Sequence, residues 1–306
     1  MKNTRGTSRG NQSTDKRPAA AGRKPVATKR ASSEKKAPTD KKTVTDRDKR
    51  KYIDFKIKVK KGDPLPSFNE DQVRLNKYLS NAGVCSRREA DVLIQTGVVS
   101  VNGKIITELG YKIAPEDVVQ YDGETINAET KRYVLLNKPK GFITTMDDPR
   151  GRKTVMSLVK KACRERIYPV GRLDRETTGL LLFTNDGDMA KKLTHPRYQA
   201  KKIYHVELNK AVTKEDMERL LRGVDLEDGK TRVDEVEYIE NGNSTEVGVE
   251  IHSGKNRIVR RLFEAMGYVV VKLDRVQFAG LTKKDLPRGY YRHLTEQEVS
   301  FLKMTK

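Results

Sequence analysis

Apolar positions from residue 73 onward recur at two alternating periods, and these predict helices and strands in turn. Leu75, Tyr78, Leu79 and Ala82 share one helical face, with Gly83 as the stop. Ser86 followed three residues later by Glu89 reads as a capping box opening a second helix through Ala90, Val92, Leu93 and Ile94, closed by Gly97. Residues 99–106 alternate on both sides of Asn102-Gly103, a hairpin signal, and residues 117–123 supply a further strand and turn. Beyond residue 131 the spacing predicts strands at 133–136, 179–184, 203–208, 246–251 and 268–273. Helices are expected at 188–193, 213–221 and 257–266. The continuous run from Gly179 to Phe183 reads as a strand buried on both faces, which places the polar turn before it, with Asp174 between Arg172 and Arg175, at the edge of a rigid core. The fold class expected is α+β. A small αα-β module over 72–130 precedes a domain over 131–302 whose mixed, largely antiparallel sheet is flanked by helices.

The N-terminal segment has a different character. Residues 53–59 alternate like a strand but are cut off by Gly62, Pro64 and Pro66, so they form either an extended segment or part of a linker. The first 61 residues carry 21 Lys/Arg against 6 Asp/Glu, which is +15 of the chain's +21. No aromatic residue, Leu or Ile occurs before Lys51. Such a stretch cannot bury enough apolar surface to offset an ordering cost of roughly 1–2 kcal/mol per residue, so a disordered basic tail is expected over 1–70. Three readings of it stay open: solubility, a polycation for phosphates, and a transit peptide, the last disfavoured by the missing Leu and Phe. No apolar run approaches the ~20 residues of a bilayer span, and Cys85 and Cys163 stand far apart. A soluble, cytoplasmic protein with unpaired thiols and no membrane partner is expected.

The chemistry-bearing residues exclude several classes. His195, His205, His252 and His293 show no zinc spacing, and Asp186-Gly187-Asp188 reads as a helix cap, not a calcium loop. Phosphate-loop and dinucleotide fingerprints are absent, so neither a metal nor a cofactor is expected. Asp174, Arg172, Tyr204 and Arg260 remain as polar residues beside apolar elements. Singly, each has an ordinary structural explanation as a salt-bridged turn, a strand aromatic or the polar side of a helix. The Arg87-Arg88 pair opens a helix, where backbone N–H groups already favour phosphate, though a solvated face explains it too.

Two resemblances join these residues. Residues 74–79, 86–90 and 99–103 are similar to the small RNA-binding domain named after ribosomal protein S-four. Pro169-Val170-Gly171-Arg172-Leu173-Asp174, with 178–182 and 184–187, resembles the catalytic motif of pseudouridine synthases; residues 202–206 resemble that family's tyrosine motif and 254–261 its basic third motif. The resemblance spans roughly residues 72–295 and fits the branch that modifies bacterial ribosomal RNA. It implies Asp174 as the essential carboxylate, Arg260 as the cation paired with it, and Tyr204 as the aromatic stacking on the target base. It also implies RNA contacts by Arg172, Arg74, Lys77, Arg87, Arg88, Lys255 and Arg257. The implied partner is ribosomal RNA or a ribosomal-subunit precursor, with the large-subunit 23S RNA favoured over 16S. The implied reaction isomerises a flipped-out uridine, without cofactor, in a monomer. A non-catalytic RNA-binding assembly factor is the competing reading. Ile258 stands where the family often carries Gln, so any positioning by that side chain is done otherwise here.

Overall fold

Leu75 and Leu79 lie one helical turn apart and are both buried, on α1 (Leu75–Asn81). The computed structural model describes residues 72–240 and 242–304; the basic tail and the candidate strand at 53–59 lie outside them. Ser86 caps α2 (Arg87–Gln95) through the expected reciprocal box: its hydroxyl accepts from Glu89 N at 3.2 Å, and the Glu89 carboxylate accepts from Ser86 N at 2.7 Å. The hairpin joins β1 (Val99–Val101) to β2 (Lys104–Ile105), and Asn102 and Gly103 both sit at positive φ, as its tight turn requires. β3 (Val119–Tyr121) pairs with β1 and turns at Asp122-Gly123 into β4 (Glu124–Thr125). Leu75, Leu79, Ala90, Ile94, Val99, Val101 and Val119 form the module's core.

The larger part is a nine-stranded sheet among the described residues. Its main strands are β5 (Tyr133–Lys138), β6 (Thr178–Thr184), β7 (Lys202–Leu208), β8 (Glu235–Tyr238), β9 (Glu246–Ile251), β10 (Val270–Phe278) and β11 (Tyr291–His293). They run in the order β8-β9-β7-β10-β6-β5-β11, while the short strands Tyr168–Pro169 and Leu281–Thr282 attach to β6 and β10. Of these pairings, β6 with β10 alone is parallel. Helices α3 (Gly187–Thr194), α4 (Lys214–Arg222), α5 (Ile258–Ala265) and α6 (Glu296–Met304) flank the sheet. Asp186 caps α3 by accepting from Asp188 N and Met189 N, and Thr213 caps α4.

Leu180, Leu181, Leu182 and Phe183 are all fully buried, as the unbroken apolar run predicts. Leu181 and Phe183 pack with Val134, Val206, Val249 and Phe263 on one side of the sheet. Leu180 and Leu182 pack with Leu135, Met189, Leu193 and Leu302 on the other. At roughly 1.5–3 kcal/mol per fully buried side chain, this strand anchors both layers.

Several boundaries differ from the sequence expectation. The strand expected to end at residue 273 begins at Val270 and continues through Asp274 and Arg275 to Phe278, because both charges find partners inside the sheet. The helix expected from residue 257 starts at Ile258, with Arg257 as a left-handed N-cap at φ 48°. β8, β11 and α6 were not anticipated.

Candidate active site

The loop between the short strand at Tyr168–Pro169 and β6 is held by its backbone. Val170 N donates to Leu182 O at 2.7 Å, and Gly141 N donates to Arg175 O at 2.9 Å. The Thr144 hydroxyl donates to Leu173 O and accepts from Leu173 N. Lys138, with no exposed surface at the end of β5, donates from Nζ to the carbonyls of Asp174 (3.0 Å), Thr177 (2.7 Å), Arg175 and Pro139. Burial pushes the Lys138 ammonium down to about 8, against the pull of Asp174 and Glu176. Gly179 then begins the approach to β10 at φ +106°, where a Cβ would overlap the Arg275 backbone. The sequence thus fixes the backbone of Asp174 while leaving its carboxylate a third exposed.

Two guanidinium groups reach that carboxylate from the start of α5. Arg257 Nη1 lies 3.8 Å and Arg260 Nε 4.0 Å from Asp174 Oδ2. Arg260 is buried, donates from Nη1 to Val270 O at 3.0 Å, and leaves Nε without a hydrogen-bond partner. Burial, then the neighbouring Arg257, lowers its pKa, and Asp174 opposes the shift. An arginine so placed stays charged at neutral pH and sets positive charge beside the carboxylate. The separations exceed hydrogen-bond length, so the carboxylate oxygens remain available to a reacting atom.

Asp174 opens onto a cavity of about 160 Å³. Tyr204 on β7, Leu173, Leu273 and Phe278 give it apolar surface, while Arg172, Lys202, Lys255, Arg257 and Arg275 bring positive charge. Arg172 is exposed at the loop. Lys255 lines the cavity but is committed to Asp228 O and Thr231 Oγ1, both at 3.0 Å.

The remaining expected RNA contacts lie on the small module. Arg74, Arg87 and Arg88 are exposed, whereas the Lys77 ammonium is taken by Asp188 of α3 at 2.7 Å. The structure therefore brings together Asp174, Tyr204, Arg260, Arg257, Arg172 and Lys255, and leaves Arg74, Lys77, Arg87 and Arg88 outside the cavity lining. Sequence reasoning missed Lys138, Thr144, Lys202 and Arg275; its one available signal was a cation closing a mostly apolar strand, at Lys138. No group of His, Cys, Asp and Glu suited to a metal occurs among the described residues, and no described helix is long and apolar enough to cross a membrane.

A carboxylate against two guanidinium groups, beside an aromatic ring in a recessed cavity, suits nucleophilic or electrostatic work on a planar ring that enters from outside. Residues 132–265 match the RNA pseudouridylate synthase family and residues 73–119 the S4 domain. The chain is 43% identical over 233 residues to ribosomal large subunit pseudouridine synthase B of Bacillus subtilis (strain 168), covering 75% of this chain and 95% of that one. An RNA pseudouridine synthase of Aquifex aeolicus (strain VF5), uncharacterized, is 39% identical over 234 residues, covering 76% and 94%. A crystal structure of a pseudouridylate synthase superposes with a TM-score of 0.55 at 29% identity, covering 75% of this chain and 99% of that one. The chain belongs to the RNA pseudouridylate synthase family, carries an S4 domain ahead of its catalytic domain, and is a pseudouridine synthase.

Proposed function

We propose that the substrate is a uridine of ribosomal RNA, in the large-subunit 23S molecule, and that Asp174 is the group that carries the glycosidic bond through cleavage and re-formation. The observation that carries this reading is the Asp174 carboxylate lying 4.0 Å from buried Arg260 at the mouth of the Tyr204 cavity. Isomerisation detaches uracil from C1′, turns it and rejoins it through C5, with no redox change. A single ionised carboxylate is sufficient to accept the electron deficiency as the bond breaks. The large-subunit assignment follows the name of the Bacillus subtilis relative.

A stacked base cannot reach a recessed carboxylate, so the uridine is flipped out, at a cost of a few kcal/mol that contacts to the RNA offset. Tyr204 supplies the surface on which the flipped ring stacks, and exposed Arg172 occupies the space it leaves. Arg74, Arg87 and Arg88 hold the folded RNA by phosphate and shape, as basic faces on small RNA-binding modules do. Lys77 joins them on exchanging Asp188 for phosphate, Arg257 serves both RNA and Asp174, and Lys255 shapes the cavity wall from its Asp228 anchor.

The test compares wild type with Asp174→Ala on ribosomal RNA from a strain lacking the gene, with pseudouridine mapped chemically by position. One new large-subunit pseudouridine with wild type and none with the variant is the expected result. No modification by wild type on free RNA or on subunit precursors would leave a binding factor for ribosome assembly, and an active variant would remove Asp174 from its role.

A further inference from the structure

Lys202 and Arg275 place two cations in the wall of the Asp174 cavity that no carboxylate pairs with among the described residues. Lys202 stands two residues before Tyr204 on β7, so the two side chains share a face of the strand. Arg275 on β10 is the register partner of Tyr204 across the sheet. The three therefore converge by backbone geometry.

Both cations keep a donor in reserve. The Lys202 ammonium donates to Ala200 O at 2.8 Å and His252 O at 2.6 Å, and the third of its three N–H groups has no partner. The Arg275 guanidinium donates from Nε to Leu180 O at 2.8 Å and lies 4.6 Å over the Phe278 ring, while Nη2 is buried with no partner. An unmatched buried donor is costly, and two like charges side by side repel. Burial, and then Arg275, bring the Lys202 ammonium down to about 8. Flanking phosphates meet the exposed Arg172 and the half-exposed Arg257 first, whereas Arg275 is only 3% exposed. What reaches the deeper pair is the base.

The geometry points to Lys202 and Arg275 as the electrostatic clamp for the uracil anion formed when the glycosidic bond breaks. This rests on the reading of Asp174 as the group that acts at the sugar. When C1′–N1 breaks, its electron pair stays with uracil, spread over N1, O2 and O4, while Asp174 takes up the electron deficiency at C1′. A carbonyl oxygen bearing that charge accepts from the third Lys202 N–H, while the buried Arg275 guanidinium beside it supplies fixed positive charge. The base then turns and its C5 bonds to C1′ as the Asp174 carboxylate lets go of that carbon, C5 releases its proton and N1 gains one. No oxidant, reductant or external ion enters.

The experiment is single-turnover release of tritium from ribosomal RNA labelled as [5-³H]uridine in a strain lacking the gene. Lys202→Gln retains amide donors for Ala200 and His252 but loses the charge. It is expected to slow release at saturating RNA by about 100-fold, the scale of losing a preorganised donor, with RNA affinity and melting temperature close to wild type. Arg275→Lys keeps a cation but vacates Nη2, and serves as the independent variant, with a slowing of about 10-fold or more expected. The second arm replaces uridine by 5-fluorouridine, whose base is a better leaving group; its C5 has no proton to release, so the rejoined base adds water at C6, and this rearranged hydrate is followed by mass spectrometry. A clamp predicts that the deficit of Lys202→Gln narrows on this substrate. Equal deficits on both substrates, or folded variants within threefold of wild type, would overturn the clamp while leaving the isomerase intact. Wild type that releases no tritium would overturn the Asp174 reading and the clamp together.

Discussion

Lys138 shows how far one residue's environment departs from its type. It closes a strand that reads Tyr-Val-Leu-Leu-Asn-Lys, is fully buried, and spends its donors on four carbonyls, three of them in the loop that carries Asp174. The Thr177 carbonyl is buried with the lysine and the others are partly so, and removing the ammonium strands the buried one at roughly 1–3 kcal/mol, with smaller losses at the rest. Lys138→Met is expected to lower stability by about 3 kcal/mol in urea unfolding and to slow catalysis at saturating RNA, because the Asp174 backbone loses its anchor. A variant as stable as wild type would show that Gly141 and Thr144 suffice to hold the loop. A cation closing a mostly apolar strand hints that Lys138 is buried, but nothing local announces this role, since the three loop partners lie 36 to 39 residues downstream. Asp174, Tyr204 and Arg260 were legible because each stands within a motif. Arg257 was read as an RNA contact, and its position 3.8 Å from Asp174 depends on a left-handed helix start that spacing does not reveal.

The elements that the sequence made legible are those with one face or both in the core. β6, β7 and β9 keep an unbroken or strictly alternating apolar pattern, and their observed ends lie within a residue of expectation. β8 escaped notice because this edge strand, Glu-Val-Glu-Tyr, buries only Val236. α6 escaped because Leu302 is its single buried residue. β10 outran its expected end because Asp274 is bound by Thr178, Lys283 and Arg288, partners brought from three other parts of the chain. Burial pushes the Asp274 carboxyl up, but those bonds outweigh it and hold it well below the usual carboxylate range. Unfolded, this group binds its proton near pH 4. Its stabilisation is therefore complete above about pH 4 and is lost as pH falls toward the lower folded value. Asp274→Asn is expected to be less stable than wild type at pH 7, with the gap closing in urea titrations below pH 4; a gap that persists unchanged would deny the linkage. The junction of β6 with β10 also makes a steric prediction. Gly179→Ala drives a Cβ into the Arg275 backbone at a φ that L residues rarely adopt, so loss of folding or a drop of more than about 4 kcal/mol is expected. Gly103→Ala, also at positive φ but with open space around it, is expected to cost about 1 kcal/mol. Similar costs for the two would mean that backbone conformation, not the close approach of the strands, fixes Gly179.

Across the whole molecule, charge is divided in a way that the catalytic chemistry does not require. Residues 1–61 hold +15 of the +21, leaving about +6 for all the rest, including the cations around Asp174 and on the S4 surface. On the proposed function the two groups would act differently on RNA. Arg87 and Arg88 stand at the start of a packed helix, so contacts they make to a phosphate backbone would set register as well as attraction. A Lys- and Arg-rich run would contribute counterion release, which is blind to sequence and falls steeply with salt, by about 0.7 to 0.9 in logarithmic slope for each phosphate neutralised. Deleting residues 1–61 is therefore expected to weaken ribosomal RNA binding and flatten its dependence on salt, while the modified position stays the same. Arg87→Ala with Arg88→Ala is expected to reduce the slope by no more than about two, and to lower modification at the target relative to total RNA bound. Filter binding from 50 to 300 mM salt, with position mapping on the same RNA, separates the two. An unchanged slope after the deletion would assign the tail to solubility, and a shifted position would give it a part in choosing the uridine.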